Sequence, residues 1–258
     1  MKFKRSKHLL KMTVLATAFG TSIPLYAATT ETPDTSDDWQ FTVAPYLWAL
    51  NMDGNVQIGK TKARMSENFG DIWDQLQWAG MIYLEAHKDK FGLFFNAIYS
   101  VLNQSGDYQT NLKTKFGLFT GGVSYDWLNK SLGEFNEITL SPYLGFRTTV
   151  NNLTLTAPGL SVSNDHTWTD PILGSKLNWQ FTQRWSVVLA ADVGGTDSND
   201  YSYNVQGLIG FTPERLKALS VYLGYRYLDE YYVTGSGRNL FSWQMHMHGP
   251  LVGLAYTF

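Results

Sequence analysis

Hydrophobic positions along this chain alternate with polar or small ones, in stretches of about ten residues separated by turn-forming clusters. In "WQFTVAPYLWAL", Trp39, Phe41, Val43, Leu47 and Ala49 share one face, with Gln40, Thr42, Ala44, Tyr46 and Trp48 on the other. "WAGMIYLEAH" sets Ile82, Leu84 and Ala86 against Tyr83, Glu85 and His87. The same period of two runs through "FGLFFNAIYSV", "LFTGGVSYDWL", "ITLSPYLGFRTTV", "DPILGSKLNWQF", "RWSVVLAADVGG", "YSYNVQGLIGF", "LSVYLGYRYLDE" and "GPLVGLAYTF". This is the strand signature. In the last segment Val252, Leu254, Tyr256 and Phe258 oppose Gly249, Gly253, Ala255 and Thr257.

Strands of soluble sheets average about 5–6 residues. Ten-residue strands tilted near 45° are what a bilayer requires, and in lipid a sheet must close so that no edge is left unpaired. The pattern therefore predicts an all-β fold: a transmembrane antiparallel β-barrel of about ten strands, within a range of about 8 to 12. The apolar row of each strand faces lipid, with Trp, Tyr and Phe at the strand ends forming interfacial girdles. Alternate connections support this. "HKDK", "FTQR" and "TPERLK" are short and charged, and "NKSLGEFNE" is moderate, whereas 51–76, 103–112, 151–167, 195–200 and 231–243 are longer. Short turns on the periplasmic side and long loops outside are the bacterial outer-membrane arrangement. "NVQIGKTKARM" reads as a further strand or as loop. It is assigned, with the short helix "FGDIWDQL", to the first long loop, and twelve strands is the competing count.

Composition agrees. Of 258 residues, 44% are hydrophobic and 15% aromatic, with 9 Trp and 15 Tyr, yet mean hydropathy is −0.20. Charged residues make up 16%, against about 25% in soluble domains. There is no cysteine, which excludes disulfides and a cysteine nucleophile. Residues 1–27 have the form of a signal peptide, with a basic "MKFKRSKHLLK", an apolar "MTVLATAFGTSIPL" and small residues before Ala28. Residues 28–38 are a polar, acidic leader, and 39–258 the barrel. Removing the five basic residues of the signal leaves 15 basic against 22 acidic, a net −7 that argues against nucleic acid as a partner.

At "WTDPILG", "ADVGG", "GYRYL" and "GPLVGLAYTF" the sequence resembles a large, largely uncharacterised family of Gram-negative outer-membrane β-barrel proteins. "FTVAPYLWA" and "FGDIWDQL" look like that family's opening. The matching positions are Asp170, Pro171, Gly174, Asp192, Gly194, Gly195, Gly224, Arg226, Gly249 and Pro250. The resemblance implies an outer-membrane location, with membrane lipid around the barrel. It also implies that Tyr256 and the terminal Phe258 serve as a signal to barrel-assembly machinery. It implies no reaction and no cofactor.

The alternation turns Glu85, Asp170, Asp192 and Glu230 inward, together with Arg147, Lys176 and Arg226. Confined charges need partners, so these seven are a candidate lumen network, either a constriction that selects small solutes or a structural filling. Barrels of eight strands are filled by side chains, and water-filled ones need about sixteen; structural filling is the favoured reading. Beyond the signal peptide the histidines are His87, His166, His246 and His248. "MHMH" places two of them on one strand face, without a third ligand beside them, so no metal is expected. A Ser242–His246–Glu230 hydrolase arrangement can be drawn, as in any chain rich in serine. Three readings of function follow. The preferred one is a non-enzymatic barrel with a solute-passing, porin-like role or a structural and surface role. The second is an enzyme acting on lipid or lipopolysaccharide. The third is an adhesion module using loops 51–76 and 151–167, with Trp73, Trp78 and Trp168 at the contact.

Overall fold

A computed structural model describes residues 38–105, 111–158 and 160–258. The signal-peptide and leader expectations therefore lie outside the described residues, apart from Asp38. The strands, in chain order, are β1 (Gln40–Trp48), β2 (Asn51–Ile58), β3 (Thr61–Glu67), β4 (Leu76–Lys88), β5 (Phe91–Ser105), β6 (Asn111–Tyr125), β7 (Leu128–Gly133), β8 (Asn136–Ala157), β9 (Leu160–Gln180), β10 (Trp185–Asp197), β11 (Asp200–Phe211), β12 (Leu219–Thr234) and β13 (Phe241–Thr257). A helix, α1 (Phe69–Gln75), lies between β3 and β4.

Ten of the strands form an antiparallel ring in the order β1, β4, β5, β6, β8, β9, β10, β11, β12, β13, and β13 pairs back to β1. Each contains one of the ten alternating segments. Closure is completed at the periplasmic rim, where the Phe41 N–H donates to the Phe258 carbonyl at 2.9 Å and the reverse bond spans 3.0 Å. The two rings stack with centroids 5.9 Å apart. The outward rows form a lipid-facing belt in which Leu93, Val123, Leu144, Leu173, Val193, Val205, Leu223 and Val252 are all exposed. Aromatic residues rim the belt: Trp185, Phe91 and Phe258 below, Trp78, Tyr201, Tyr203 and Tyr225 above.

Several connections differ from expectation, among them "NKSLGEFNE", where β7 pairs with the start of β8. Residues 51–67 are not loop but the β2–β3 hairpin, turning at Gly59, whose φ of 58 suits glycine. β2 follows β1 along the same neighbour: β13 pairs with β1 from Leu251 to Thr257 and with β2 from Phe241 to His248. Residues 151–167 are strand as well, because β8 and β9 remain paired from Glu137↔Gln180 to Ala157↔Leu160. β12 and β13 likewise reach into 231–243. β8 and β9, of 22 and 21 residues, are about twice the length a bilayer needs, and β12 and β13, of 16 and 17, also exceed it, so their upper parts stand in water as a continuation of the wall.

That continuation explains a reversal of polarity. On the lower part of β13 the outward row is Val252, Leu254 and Tyr256, all exposed, and below Leu251 the inward row is the small Gly253 and Ala255. On the upper part Ser242, Gln244, His246 and His248 face outward, while Phe241, Trp243, Met245 and Met247 are buried inside. β2 repeats this, with Met52 and Val56 inward and Asn51, Asp53, Asn55 and Gln57 outward. Where lipid surrounds the wall the apolar row faces out; where water does, hydrophobic burial turns the apolar row inward. Helix α1 is fixed by an Asn68–Asp71 capping box and packs Ile72 against the interior.

Deleting Phe258 removes both backbone bonds of the rim and the stacked ring. It is expected to lower severalfold the heat-modifiable, membrane-embedded fraction seen on gels, and an undiminished fraction would contradict a closing role for this residue.

Candidate functional site

The interior is built in layers by inward side chains from all ten ring strands. At the periplasmic mouth the Ser141 hydroxyl donates to Asp126 at 2.6 Å, and His87 Nε2 lies 3.1 Å from the same carboxylate. Above it, Lys176 Nζ on β9 reaches Glu85 Oε1 on β4 at 2.7 Å, and the Tyr83 hydroxyl donates to Glu85 Oε2 at 2.7 Å. β4 and β9 stand on nearly opposite sides of the ring, so this pair spans the lumen. Phe94 meets Tyr143 edge-on at 5.2 Å beside it, in space left free by Gly122, whose added Cβ would lie 2.9 Å from the Phe94 ring.

The central layer is a polar knot around Asp192. Arg147 Nη2 donates to Asp192 Oδ1 at 2.6 Å, with side-chain exposures of 0% and 3%. The Tyr143 hydroxyl and Asn204 Nδ2 donate to Asp192 Oδ2 at 2.8 and 2.9 Å. Arg147 Nη1 also donates to the Ser202 hydroxyl at 3.1 Å. Arg226 Nε donates to Asn204 Oδ1 at 2.8 Å, and its guanidinium lies 5.0 Å from the Trp48 ring, a cation–π contact. Thr149 on β8 donates to Glu230 Oε1 on β12 at 2.8 Å, again across the lumen. Asp170 is buried and faces Asp200 and Glu230, with Arg147 nearby.

The upper layer is apolar. Phe116 on β6 stacks with Trp243 on β13 at 6.4 Å, and Trp168 stacks with Tyr232 at 4.6 Å. His166 lies flat on Phe241 at 3.5 Å. Leu228, Met245 and Met247 are fully buried, and Trp48 is 1% exposed. Side chains lining a water-filled channel would be wetted. These are not, so packed contacts close the axis at several heights.

All seven charged residues expected in the lumen are there, but they form only two ion pairs among the described residues, Glu85–Lys176 and Arg147–Asp192. Arg226 is held by Asn204 and Trp48 instead of an acid, and Glu230 by Thr149. Sequence reasoning missed Ser202 and Asn204, which the "YSYNVQG" alternation already placed inward, and the whole upper apolar layer. Trp168, expected at a partner contact, is buried, whereas Trp73 and Trp78 are exposed. The Ser242–His246–Glu230 arrangement does not assemble, since the first two face out and Glu230 faces in. His246 Nδ1 instead contacts Asp229 Oδ2, a carboxylate that also accepts from the Tyr203 and Tyr227 hydroxyls at 3.2 Å each. His248 Nδ1 bonds the Tyr225 hydroxyl at 2.6 Å. No group of three or more His, Asp or Glu with metal-holding geometry occurs among the described residues.

Breaking one partner of a buried ion pair strands the other, which costs about 3–5 kcal/mol. Arg147→Met is expected to destabilise the barrel on that scale in urea unfolding followed by tryptophan fluorescence. Adding Asp192→Asn to it should recover part of the loss. A single variant as stable as the parent would show that the knot carries no structural weight.

No family model and no curated protein matches the sequence. Among solved structures, the chain is similar to the outer membrane protease OmpT from Escherichia coli. The TM-score is 0.50 and the identity 10%, over 89% of this chain and 100% of that one. The translocator domain of the autotransporter NalP from Neisseria meningitidis overlaps at a TM-score of 0.42 and 13% identity, covering 87% and 90% of the two chains. Ail, the attachment invasion locus protein of Yersinia pestis, does so at 0.38 and 10%, covering 85% and 98%. The first likeness is one of fold. With the closed ring and its outward apolar belt, it gives this chain the closed antiparallel β-barrel fold of bacterial outer-membrane proteins.

Proposed function

We propose that the protein is a non-enzymatic outer-membrane barrel with a structural or surface role, not a water-filled passage for small solutes. The observation that carries this reading is the cross-lumen packing. Lys176–Glu85, Thr149–Glu230 and Phe116–Trp243 each join strands on nearly opposite sides of the ring. A solute moving along the axis would have to part all three. The charged residues work as internal bracing: Arg147, Lys176 and Arg226 are each matched by an opposite charge, a hydrogen bond or an aromatic face, as a low-dielectric interior demands. The surface role falls to the upper wall, where the β8–β9 hairpin and the β2–β3 hairpin rise beyond the girdle. The exposed Trp73 on α1 adds an aromatic contact above Trp78 of the girdle.

Reconstitution into planar bilayers tests this. The folded protein is expected to give no resolved single-channel steps across salt conditions. Regular steps that Asp192→Asn or Arg226→Gln alters would overturn the reading in favour of a solute pore.

A further inference from the structure

The ring has one incomplete seam. The β1–β4 ladder runs from Gln40↔His87 to Pro45↔Ile82 and stops. Above that point Tyr46–Trp48 pair with β13 alone, and Leu76–Met81 pair with β5 alone. Higher still, β3 pairs only with β2, and α1 spans the space between β3 and β4, its Gln75 side chain bonded to Glu67 at 3.3 Å. The Trp48 N–H, which a continued ladder would give to a carbonyl, is met by the Met81 thioether at 3.2 Å. The height of the seam follows from its neighbours. Leu84 on β4 belongs to the lipid belt, and the Trp78–Tyr99 ring pair, 5.9 Å apart, marks the outer girdle. The gap therefore opens sideways into the hydrocarbon of the outer leaflet, where an unpaired strand edge is otherwise avoided.

Behind the seam, at Trp48 and Met81, begins the apolar upper layer, which rises from there above the membrane and is unusual for a lumen that in such barrels is polar. Of the 7 methionines in the chain, two precede Trp39. The other five converge here: Met52, Met245 and Met247 are buried in the layer, and Met65 and Met81 pack against it. Methionine is flexible and polarizable, and it lines surfaces that accommodate apolar partners of varied shape. The polar knot below closes the way down.

We propose that the β1–β4 seam is a lateral portal through which the acyl chain of an outer-leaflet lipid enters the methionine-lined upper lumen. The occupant follows from position and lining. Acyl chains are what surrounds the gap at that depth, no charged side chain stands on Tyr46–Trp48 or Leu76–Met81, and the sealed axis leaves the side as the route. The packed layer is the empty, closed form; a chain is admitted as the methionine side chains change rotamer.

The full barrel, folded in liposomes that contain a phospholipid with a photoactivatable acyl chain, tests this by cross-link mapping. Cross-links are expected at the inward Trp48, Met81 and Met247 as well as at the outward belt. Labelling confined to belt residues such as Leu93 and Leu144 would overturn the proposal. Labelling of the interior by a photoactivatable free fatty acid, but not by the phospholipid, would overturn the lipid assignment. Because the chain has no cysteine, Leu47→Cys with Gly80→Cys supplies a single thiol pair across the seam. Oxidation is expected to cut the inward cross-links at least tenfold and reduction to restore them; inward labelling that survives the closed disulfide contradicts a route through this seam. Met247→Trp, which adds bulk to the layer and leaves β1 and β4 unchanged, should lower inward labelling at Trp48 while the belt signal stays. Unchanged labelling at Trp48 in that variant also counts against the proposal.

Discussion

A backbone in lipid has no water to bond, and this constraint shapes nearly everything else in the molecule. It forces β13 to return to β1, and the reciprocal bonds between Phe41 and Phe258 are where the ring is completed. Once closed, the ring has a diameter set by its ten strands, and the lumen of so narrow a barrel is filled by side chains. The inward residues thus had to be chosen for mutual fit. That is why long polar side chains meet partners inside the ring instead of lining an open space, Lys176 across the lumen and Arg147 and Arg226 on nearby strands. The one stretch where the constraint is relaxed, above Pro45, is also where a thioether stands in for a carbonyl.

The wall crosses two solvents, and its interior reflects both. Within the membrane the apolar rows are consumed by lipid contact, which leaves polar and small residues to face inward. There the Asp192 knot supplies cohesion through charge-assisted hydrogen bonds strengthened by low dielectric. Above the membrane the solvent outside is water, and cohesion inside reverts to hydrophobic burial, with Trp168, Phe241 and Trp243 at its centre. The two kinds of core meet at Arg226, whose guanidinium bonds Asn204 on one side and lies against Trp48 on the other.

Much of the fold was legible because a two-residue period over ten residues has few explanations. Every ring strand coincides with an alternating segment, and all seven lumen charges face inward. What escaped has a physical reason. Reading the apolar row as lipid-facing holds only within the bilayer. On upper β13 and on β2 the period persists while its polarity inverts, so Met245 and Met247 were not placed inside. "NVQIGKTKARM" alternates too weakly to distinguish a hairpin from a loop, since in its strand β3 only Ala63 and Met65 break a polar run. Trp168 looked available because it was assigned to a loop; extension of β9 turns it into a core residue. Glu230 and Asp229 are neighbours in sequence and opposites in space. The inward one was assigned, whereas the partner of His246 was the outward one.

The account rests most heavily on the lumen being packed shut. Since the chain lacks cysteine, single-cysteine variants report directly on it: Thr149→Cys and Ser202→Cys in the knot, Thr61→Cys on the exposed hairpin as reference. A small membrane-impermeant thiol reagent should modify Thr61→Cys at once and leave the two lumen positions unmodified until the barrel is unfolded. Rapid modification of the lumen positions in the folded protein, at a rate near that of the reference, would contradict the account.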